Sequence, residues 1–360
     1  MKDYKITLKL TSSVGTPFQA DTIFGHLCWA YRYIKGELKL RKFLDEYEQA
    51  PQLLVSDGFP EGFLPVPSLK CLFYKELKDL SGKYYSGQVK AMSVIKRLFQ
   101  RRWLSVPVWE MAKENLSQRL LAEKCLKMEV CPKTFDLRDK RCTLSLEKCP
   151  QLSLQELTLQ EKNCCIEKEE DEREETILRT SIDRLTGQAK EGRLYETKER
   201  FYIPGARFSI FIRSWDLTLE DIKELFEYIA LSGYGRDKST GKGRVSLEEI
   251  KNGFSLPSVD RPNAFVTLSS YIPQREDPLE GYYKIITKYG KLGEEYASSR
   301  IISPFKKPIL MFAAGSLFKL GKSPINDWYG GLVSDIHHEK SGIKQYGYAL
   351  PIGVRIDEDI

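Results

Sequence analysis

The densest chemistry in this chain lies between Gly233 and Val245, which read Gly-Tyr-Gly-Arg-Asp-Lys-Ser-Thr-Gly-Lys-Gly-Arg-Val. Glycines at 233, 235, 241 and 243 are interleaved with the cations Arg236, Lys238, Lys242 and Arg244 and the hydroxyls of Ser239 and Thr240. Glycine admits positive φ and lets a backbone approach a ligand closely. Successive N–H groups in such loops form anion sites, and the planar fork of arginine matches phosphate. Gly235, Gly241 and Gly243 are therefore expected to bring N–H groups up to phosphates. The four cations would pair with those phosphates, and Ser239 and Thr240 would donate hydrogen bonds. A mononucleotide P-loop is excluded, because five residues separate Gly235 from Gly241 and Gly243 follows Lys242. A dinucleotide fingerprint is excluded because Lys238 stands where its third glycine belongs. Gly233 alone reads as a helix C-cap. The rest suits an extended polyphosphate, that is, a nucleic acid.

Such a loop must be held by regular elements, and the flanking sequence supplies them. Phe208, Ile210 and Ile212 mark a strand. Thr218 and Asp221 form a capping box for a helix whose buried face is Ile222, Leu225, Phe226, Ile229 and Ala230. Val245 and Leu247 begin the next strand. At the N-terminus, Ile6, Leu8 and Leu10 alternate with polar residues, as in a half-buried strand. A helix follows from Asp21-Thr22, either of which is suited to cap it. Its stripe is Ile23, Leu27, Ala30, Tyr31 and Ile34, and Gly36 ends it. Gly25 inside it is expected to admit another backbone. His26, near the edge of the buried face, reads first as structural. Strand–helix–strand at both places predicts an α+β, ferredoxin-like (RRM-like) domain over 1–255, with insertions at about 75–175. Pro257 and Pro262 mark a linker. Strands at 264–272, 308–318 and from Tyr346 onward, with helix or strand at 278–289, predict a second, smaller ferredoxin-like domain over 256–360.

Between these elements, 57–70 reads as loop with a short edge strand, since Pro65 and Pro67 exclude a central one. Lys90, Lys96, Arg97, Arg101 and Arg102 lie on a basic helical stretch that leads into Trp103, and 109–126 reads as one amphipathic helix. Residues 127–175 carry little pattern and close in an acidic run, so poor order is expected near 145–175. Two strand-like arms then flank a glycine-containing turn, predicting a projecting β-hairpin over about 177–200. Arg179, Arg184 and Arg193 give it charge; Ile182, Leu185, Leu194 and Tyr195 give it apolar and stacking surface.

With 360 residues the chain has the length of about two domains. Its 56 basic against 50 acidic residues leave +6, so any nucleic-acid surface must be local. No apolar run spans a bilayer, and the N-terminus reads as a strand rather than a signal peptide. A cytoplasmic location is expected. Eight cysteines without a Cys-x-x-Cys pair and three histidines argue against zinc. No cofactor is expected.

Several stretches together resemble one family: Gly15-Thr-Pro, Gln19–Ala30, Leu54–Pro60, Ile182–Gly187, Gly233–Arg244 and Tyr346–Arg355. They look like the fourth Csm subunit of type III-A CRISPR effector complexes, of the RAMP superfamily. The likeness reaches both ends and the middle but not about 75–175. It implies a subunit that is not an enzyme, with crRNA as its partner. Such a subunit caps the crRNA 5′ end, holds its 5′ handle and joins the large polymerase/cyclase subunit to the repeated backbone subunit. It also implies contact with target RNA at the handle-proximal end and none with a membrane. The glycine-rich loop maps onto Gly233–Arg244, with His26 counted among the RNA-binding residues. The family's thumb, a hairpin that wedges into the guide–target duplex, maps onto roughly Arg179–Tyr195. Ile182 and Leu185 would be its wedge, at an unstacking cost of a few kcal/mol that complex assembly must offset. The rival is a metal-independent RAMP endoribonuclease with His26 as general acid–base. Against it, no lysine or tyrosine partner is assignable, and His337-His338 lie far along the chain. A protein-binding scaffold without RNA affinity of its own is the third reading.

Overall fold

The alternation of Tyr4, Ile6, Leu8 and Leu10 produces β1 (Lys2–Leu10), with all four side chains buried. The structure, a computed structural model, describes residues 1–47, 49–84, 88–131, 134–138, 172–297 and 301–357. The acidic run up to residue 171, and with it the poor order expected near 145–175 except for 172–175, therefore lie outside the described residues; residues 172–175 are strand. β1 leads into α1 (Ala20–Lys35), which buries Ala20, Ile23, Phe24, Leu27 and Ala30. Gly36 ends α1 with a positive φ, as expected. Ile34 is exposed, and a Cβ on Gly25 would meet only open space, so no backbone approaches there.

After α2 (Glu37–Tyr47) the chain forms β2 (Leu53–Pro60), whose end enters the stretch 57–70 read as loop with a short edge strand. An insertion follows: β3 (Phe63–Pro65), α3 (Tyr74–Tyr84), α4 (Gln88–Gln100), β4 (Trp103–Ser105), α5 (Val106–Ala112) and α6 (Gln118–Leu126). The stretch 109–126 is thus two helices, because Ser105 and Ser117 each accept a backbone N–H as separate N-caps. The hairpin β5 (Glu172–Ile182) and β6 (Ala189–Tyr202) comes next, then β7 (Arg207–Ser214), α7 (Leu219–Ser232) and β8 (Val245–Asn252). Thr218 and Asp221 form the predicted capping box of α7.

β2, β7, β1 and β8 form one antiparallel sheet in that order. With α1 between β1 and β2 and α7 between β7 and β8, the connectivity is β-α-β-β-α-β. The two helices pack beside each other. β2 breaks register between Val55 and Gly58. There Asp57 N–H donates to Leu268 O (2.9 Å) and Gly58 N–H to Phe18 O (2.8 Å). Such a bulge re-aims a side chain out of the ladder, and the one re-aimed is Asp57.

The C-terminal half comprises β9 (Ala264–Thr267), β10 (Gly281–Tyr282), β11 (Ile285–Lys288), α8 (Glu294–Ala297), β12 (Ile309–Phe312), β13 (Leu317–Lys319), β14 (Tyr329–Gly330), β15 (Tyr348–Ala349) and β16 (Pro351–Val354). Its main sheet runs β10-β13-β9-β16. Counted along the chain, that order repeats the order of the first sheet. Its crossovers differ: among the described residues α8, one turn long, is the single α-helix of this half. The crossover sequences explain this, since 320–350 carry Gly321, Pro324, Gly330, Gly331, Gly342 and Gly347 and no amphipathic run. The strand expected at 308–318 is two strands in different sheets. They separate at Gly315 (φ +90), whose carbonyl accepts Ser68 N–H at 2.7 Å.

One hydrophobic core continues from β1, α1 and α7 into Ala264, Val266, Leu268, Leu317, Leu350 and Ile352. Terminal tyrosines carry part of this seam: Tyr346 OH accepts Val55 N–H at 2.9 Å, and Tyr348 OH donates to Tyr47 O at 2.8 Å. Among the described residues no helix is long and apolar enough to cross a membrane.

Candidate nucleic-acid interface

The glycine-rich loop leaves α7 at Gly233 and returns at β8, so its ends are fixed by a helix and a central sheet. Its backbone closes on itself: Tyr234 N–H donates to Gly243 O (2.8 Å) and Gly243 N–H to Ser13 O (2.8 Å). Gly243, at φ +62, lies so close that an added Cβ would collide with the Tyr234 carbonyl. The segment after β1, with His26 of α1, binds much of the rest. Gly235 N–H donates to His26 Nε2 (2.9 Å), Arg236 N–H to Thr16 Oγ1 (3.1 Å) and Arg244 N–H to Ser12 Oγ (2.9 Å). Gly241 N–H donates to Lys238 O at 3.1 Å. The N–H groups of Gly235, Gly241 and Gly243, expected to face phosphates, thus donate within the protein. Gly235 and Gly243 serve close packing instead, against Thr16 and the Tyr234 carbonyl, and Gly241 supplies a positive φ in open space.

The cations divide. Lys238 pairs with Glu294, Lys242 Nζ with Glu199 Oε2 (2.6 Å), and the Arg236 guanidinium donates to Lys198 O. The Arg236 stem lies over Gly15, where a Cβ would stand 2.7 Å from its Nε. This accounts for the Gly15-Thr-Pro stretch. Arg236, Ser239, Thr240 and Arg244 are exposed. The loop therefore offers side chains, chiefly the two arginines, rather than a backbone nest.

The His26 imidazole packs tilted against the Tyr234 ring with centroids 5.0 Å apart, and its Nε2 acts as an acceptor. The ring is thus neutral, with its proton on Nδ1. Burial, helped by Lys238, lowers its pKa to about 4. Across the α1 N-terminus, Asp57 replaces the caps expected at Asp21-Thr22. Its Oδ1 accepts Ala20 N–H (2.8 Å) and Ser270 N–H (3.0 Å), and its Oδ2 accepts Ser270 Oγ–H (3.0 Å). Burial raises its pKa to about 6, although these hydrogen bonds favour the ionised form. The two groups oppose each other in acid. For His26 the unfolded chain takes up a proton below about 6.5 that the folded chain refuses until about 4, so stability falls as pH falls through that window. For Asp57 the folded chain keeps a proton that the unfolded chain releases near 4, so stability falls as pH rises from about 4 to 6. Each full swing is about 3 kcal/mol at 1.36 kcal/mol per unit. Denaturant titrations at several pH values should show Asp57→Asn gaining stability relative to wild type as pH rises from 4 to 6. His26→Gln should gain relative to wild type as pH falls from 6.5 to 4. A pH-independent difference for either variant would mean that its group is not shifted.

The hairpin forms a separate two-stranded sheet closed by a turn in which Asp183 N–H donates to Gln188 O (2.8 Å) and Gly187 N–H to Asp183 O (2.8 Å). Ile182, Arg184, Leu185, Leu194 and Tyr195 are exposed near its tip, Leu185 almost wholly. The side chain of Arg193 lies outside the described residues. Arg179 pairs with Tyr195 across the hairpin, and its side chain reaches back toward the base, where the hairpin meets the loop. There Glu199, 1% exposed, accepts from Arg179 (2.5 Å), Lys242 (2.6 Å) and Ser13 Oγ–H (3.1 Å). One buried carboxylate thus joins hairpin, glycine-rich loop and post-β1 segment.

Glu199, Ser12, Ser13, Thr16 and Asp57 escaped sequence reasoning. So did Lys288, which donates to Gln19 Oε1 (2.7 Å), Asp21 Oδ1 (2.9 Å) and Thr22 Oγ1 (3.1 Å) and explains why Asp21 and Thr22 are not caps. Their partners are distant in sequence and leave no periodic trace.

No family model and no curated protein matches this chain. Solved structures do. A chain of the Csm3–Csm4 subcomplex of a type III-A CRISPR-Cas interference complex superposes with TM-score 0.54 at 16% identity, covering 98% of this chain and 99% of that one. A chain of a Csm1–Csm4 cassette in complex with cA4 superposes with TM-score 0.53 at 16% identity, and one in complex with pppApA with 0.52 at 15%, each over 99% of both chains. At such identities the likeness is one of fold. Csm4 is the subunit common to these assemblies, and from end to end this chain carries the fold seen in them.

Proposed function

We propose that this chain is the crRNA-capping subunit of a type III-A effector complex and is not itself a nuclease. The β-α-β-β-α-β sheet is its ferredoxin-like RAMP domain, and the second sheet, with the same strand order, is a reduced counterpart. The glycine-rich loop holds the repeat-derived 5′ handle. The β5–β6 hairpin is the thumb, and its exposed Ile182 and Leu185 are the wedge beside the handle-proximal end of the target. The observation that carries this reading is the convergence of loop and hairpin on Glu199, which makes them one surface with Arg236, Arg244 and Arg200 along it. Cationic tracks with stacking groups are how proteins hold single strands. The end-to-end fold likeness to a Csm3–Csm4 subcomplex and Csm1–Csm4 cassettes supports a place between a large subunit and a backbone subunit. His26 supports the non-catalytic part, because its Nε2 is engaged in holding the loop.

The test compares a labelled crRNA carrying its handle with the same RNA lacking it, with RNA integrity followed on a gel. Handle-dependent binding without cleavage is expected. Arg236→Glu and Arg244→Glu should each weaken binding and flatten its log–log salt dependence by about 0.7 per lost phosphate contact. Lys242→Glu is a poorer probe, because it would set a second carboxylate against Glu199. Unchanged slopes in both arginine variants would place the RNA elsewhere. Metal-independent cleavage abolished by His26→Ala would make the protein a nuclease.

A further inference from the structure

A cavity of about 190 Å³ opens between the hairpin base, β2 and the post-β1 segment. Four aromatic side chains line it: Phe18, Trp103, Tyr202 and Phe208. Gln19 and Asp57 add hydrogen-bonding groups, and Arg102, Arg200 and Glu172 complete its polar lining. Its volume is below the roughly 300–1,000 Å³ of pockets for drug-sized ligands. It suits one planar ring system rather than a whole nucleotide.

Its position ties it to the loop. Phe18 stacks on Tyr234 of the loop with centroids 4.5 Å apart, and Pro17 O accepts Tyr234 O–H at 2.7 Å. Val14 and Arg200 exchange backbone hydrogen bonds of 3.0 Å. The same short segment thus anchors the loop through Ser12, Ser13 and Thr16 and walls the cavity through Pro17, Phe18 and Gln19. The Arg102 guanidinium lies 5.1 Å from the centroid of the Trp103 ring and pairs with Glu172 at 3.1 Å, which also meets Arg200 at 3.4 Å. Cations around an aromatic cavity suit a base on a phosphate backbone better than an apolar protein side chain. Asp57 adds discrimination. Its Oδ1 already accepts two N–H groups, whereas Oδ2 accepts only Ser270 Oγ–H among the described residues. A carboxylate oxygen accepts two hydrogen bonds, which leaves room for an amino donor, as when acidic side chains read cytosine N4.

We propose that this cavity receives a single unpaired nucleobase from the RNA strand that crosses the glycine-rich loop, stacked on its aromatic wall and donating an exocyclic amino group to Asp57. The inference rests on the reading above that this surface binds RNA.

The test uses the full chain and single-stranded crRNA oligomers carrying 2-aminopurine at one handle position each. Fluorescence should be quenched strongly at one position. Trp103→Ala should relieve that quenching and weaken binding about 5- to 150-fold, from 1–3 kcal/mol per stacked base, with the salt slope unchanged. Trp103→Phe should preserve the quenching, and Tyr202→Ala gives the same readout if Trp103→Ala fails to fold. Uracil at that position should bind more weakly than adenine or cytosine. Equal quenching at every position would refute the cavity. So would quenching unaffected by either alanine variant while Arg236→Glu still weakens binding, and the general RNA reading would then stand. Unchanged RNA binding by Trp103→Ala with loss of large-subunit co-purification would assign the cavity to a protein side chain. No RNA binding by the wild type would sink both.

Discussion

Glu199→Gln is expected to weaken the fold and strengthen RNA binding at once. The Glu199 carboxylate is buried between Arg179 and Lys242 and receives Ser13 Oγ–H. Burial pushes its pKa up, but Lys242, Arg179 and Ser13 together hold it below the usual glutamate range. A depressed carboxylate contributes stability above its unfolded pKa and loses it as pH falls through the folded one. Neutralising it removes that contribution, leaves Lys242 without its counter-ion and leaves Arg179 with Asp237 alone, 3.7 Å away. The two cationic side chains are each 25% exposed, so water offsets part of the loss. A fall of several degrees in Tm is expected rather than unfolding. Both cations would then be available to phosphate. The log–log salt slope should steepen by up to about 1.4, at about 0.7 per added contact, with tighter binding at low salt. Reduced stability with an unchanged slope would show that neither Arg179 nor Lys242 reaches RNA. Unchanged stability would show that the junction does not hold the hairpin.

Gly243→Ala should cost far more than Gly241→Ala, although both glycines have positive φ. The left-handed conformation alone costs a residue with a Cβ about 1–2 kcal/mol. At Gly241 that is the whole expected cost, since the nearest atom to an added Cβ is Arg244 Nε at 4.0 Å. At Gly243 the Cβ would collide with the Tyr234 carbonyl, which is backbone and cannot rotate away. The loop ends would have to part, breaking the Tyr234 N–H to Gly243 O and Gly243 N–H to Ser13 O bonds. Leaving those donors unsatisfied adds about 1–3 kcal/mol each, for a total of roughly 3–8 kcal/mol against domain stabilities of about 5–15. Chemical denaturation with limited proteolysis of the loop would measure it. Equal losses for the two variants would mean that the loop is not closed between Tyr234 and Gly243.

The skeleton of the first half was legible because it rests on short-range patterns. Alternation at Ile6, Leu8 and Leu10 marks β1, and Ile222, Leu225, Phe226 and Ile229 mark α7. Gly36 and Gly233 terminate helices because a residue at positive φ ends them there. The hairpin was legible from two arms around a turn. Patterns failed where burial is not one-sided. The run 308–318 is apolar on either side of Gly315-Ser316, with no change of period to show that it breaks there and enters two sheets.

Sequence by itself determined which residues this surface has to work with: the glycines, the cations and hydroxyls of 233–244, and the charged, apolar-tipped hairpin. It did so because composition and period record which groups need a turn, a core or solvent. Tertiary structure alone decided how those groups are used. It engages the loop N–H groups with Ser13, Thr16 and His26, ties Lys242 and Arg179 to Glu199, and leaves Arg236 and Arg244 exposed. It also brings Asp57 from a β-bulge to the start of α1. Hydrogen bonds and ion pairs act over a few ångströms in space, without regard to separation along the chain, so only the folded arrangement fixes their partners.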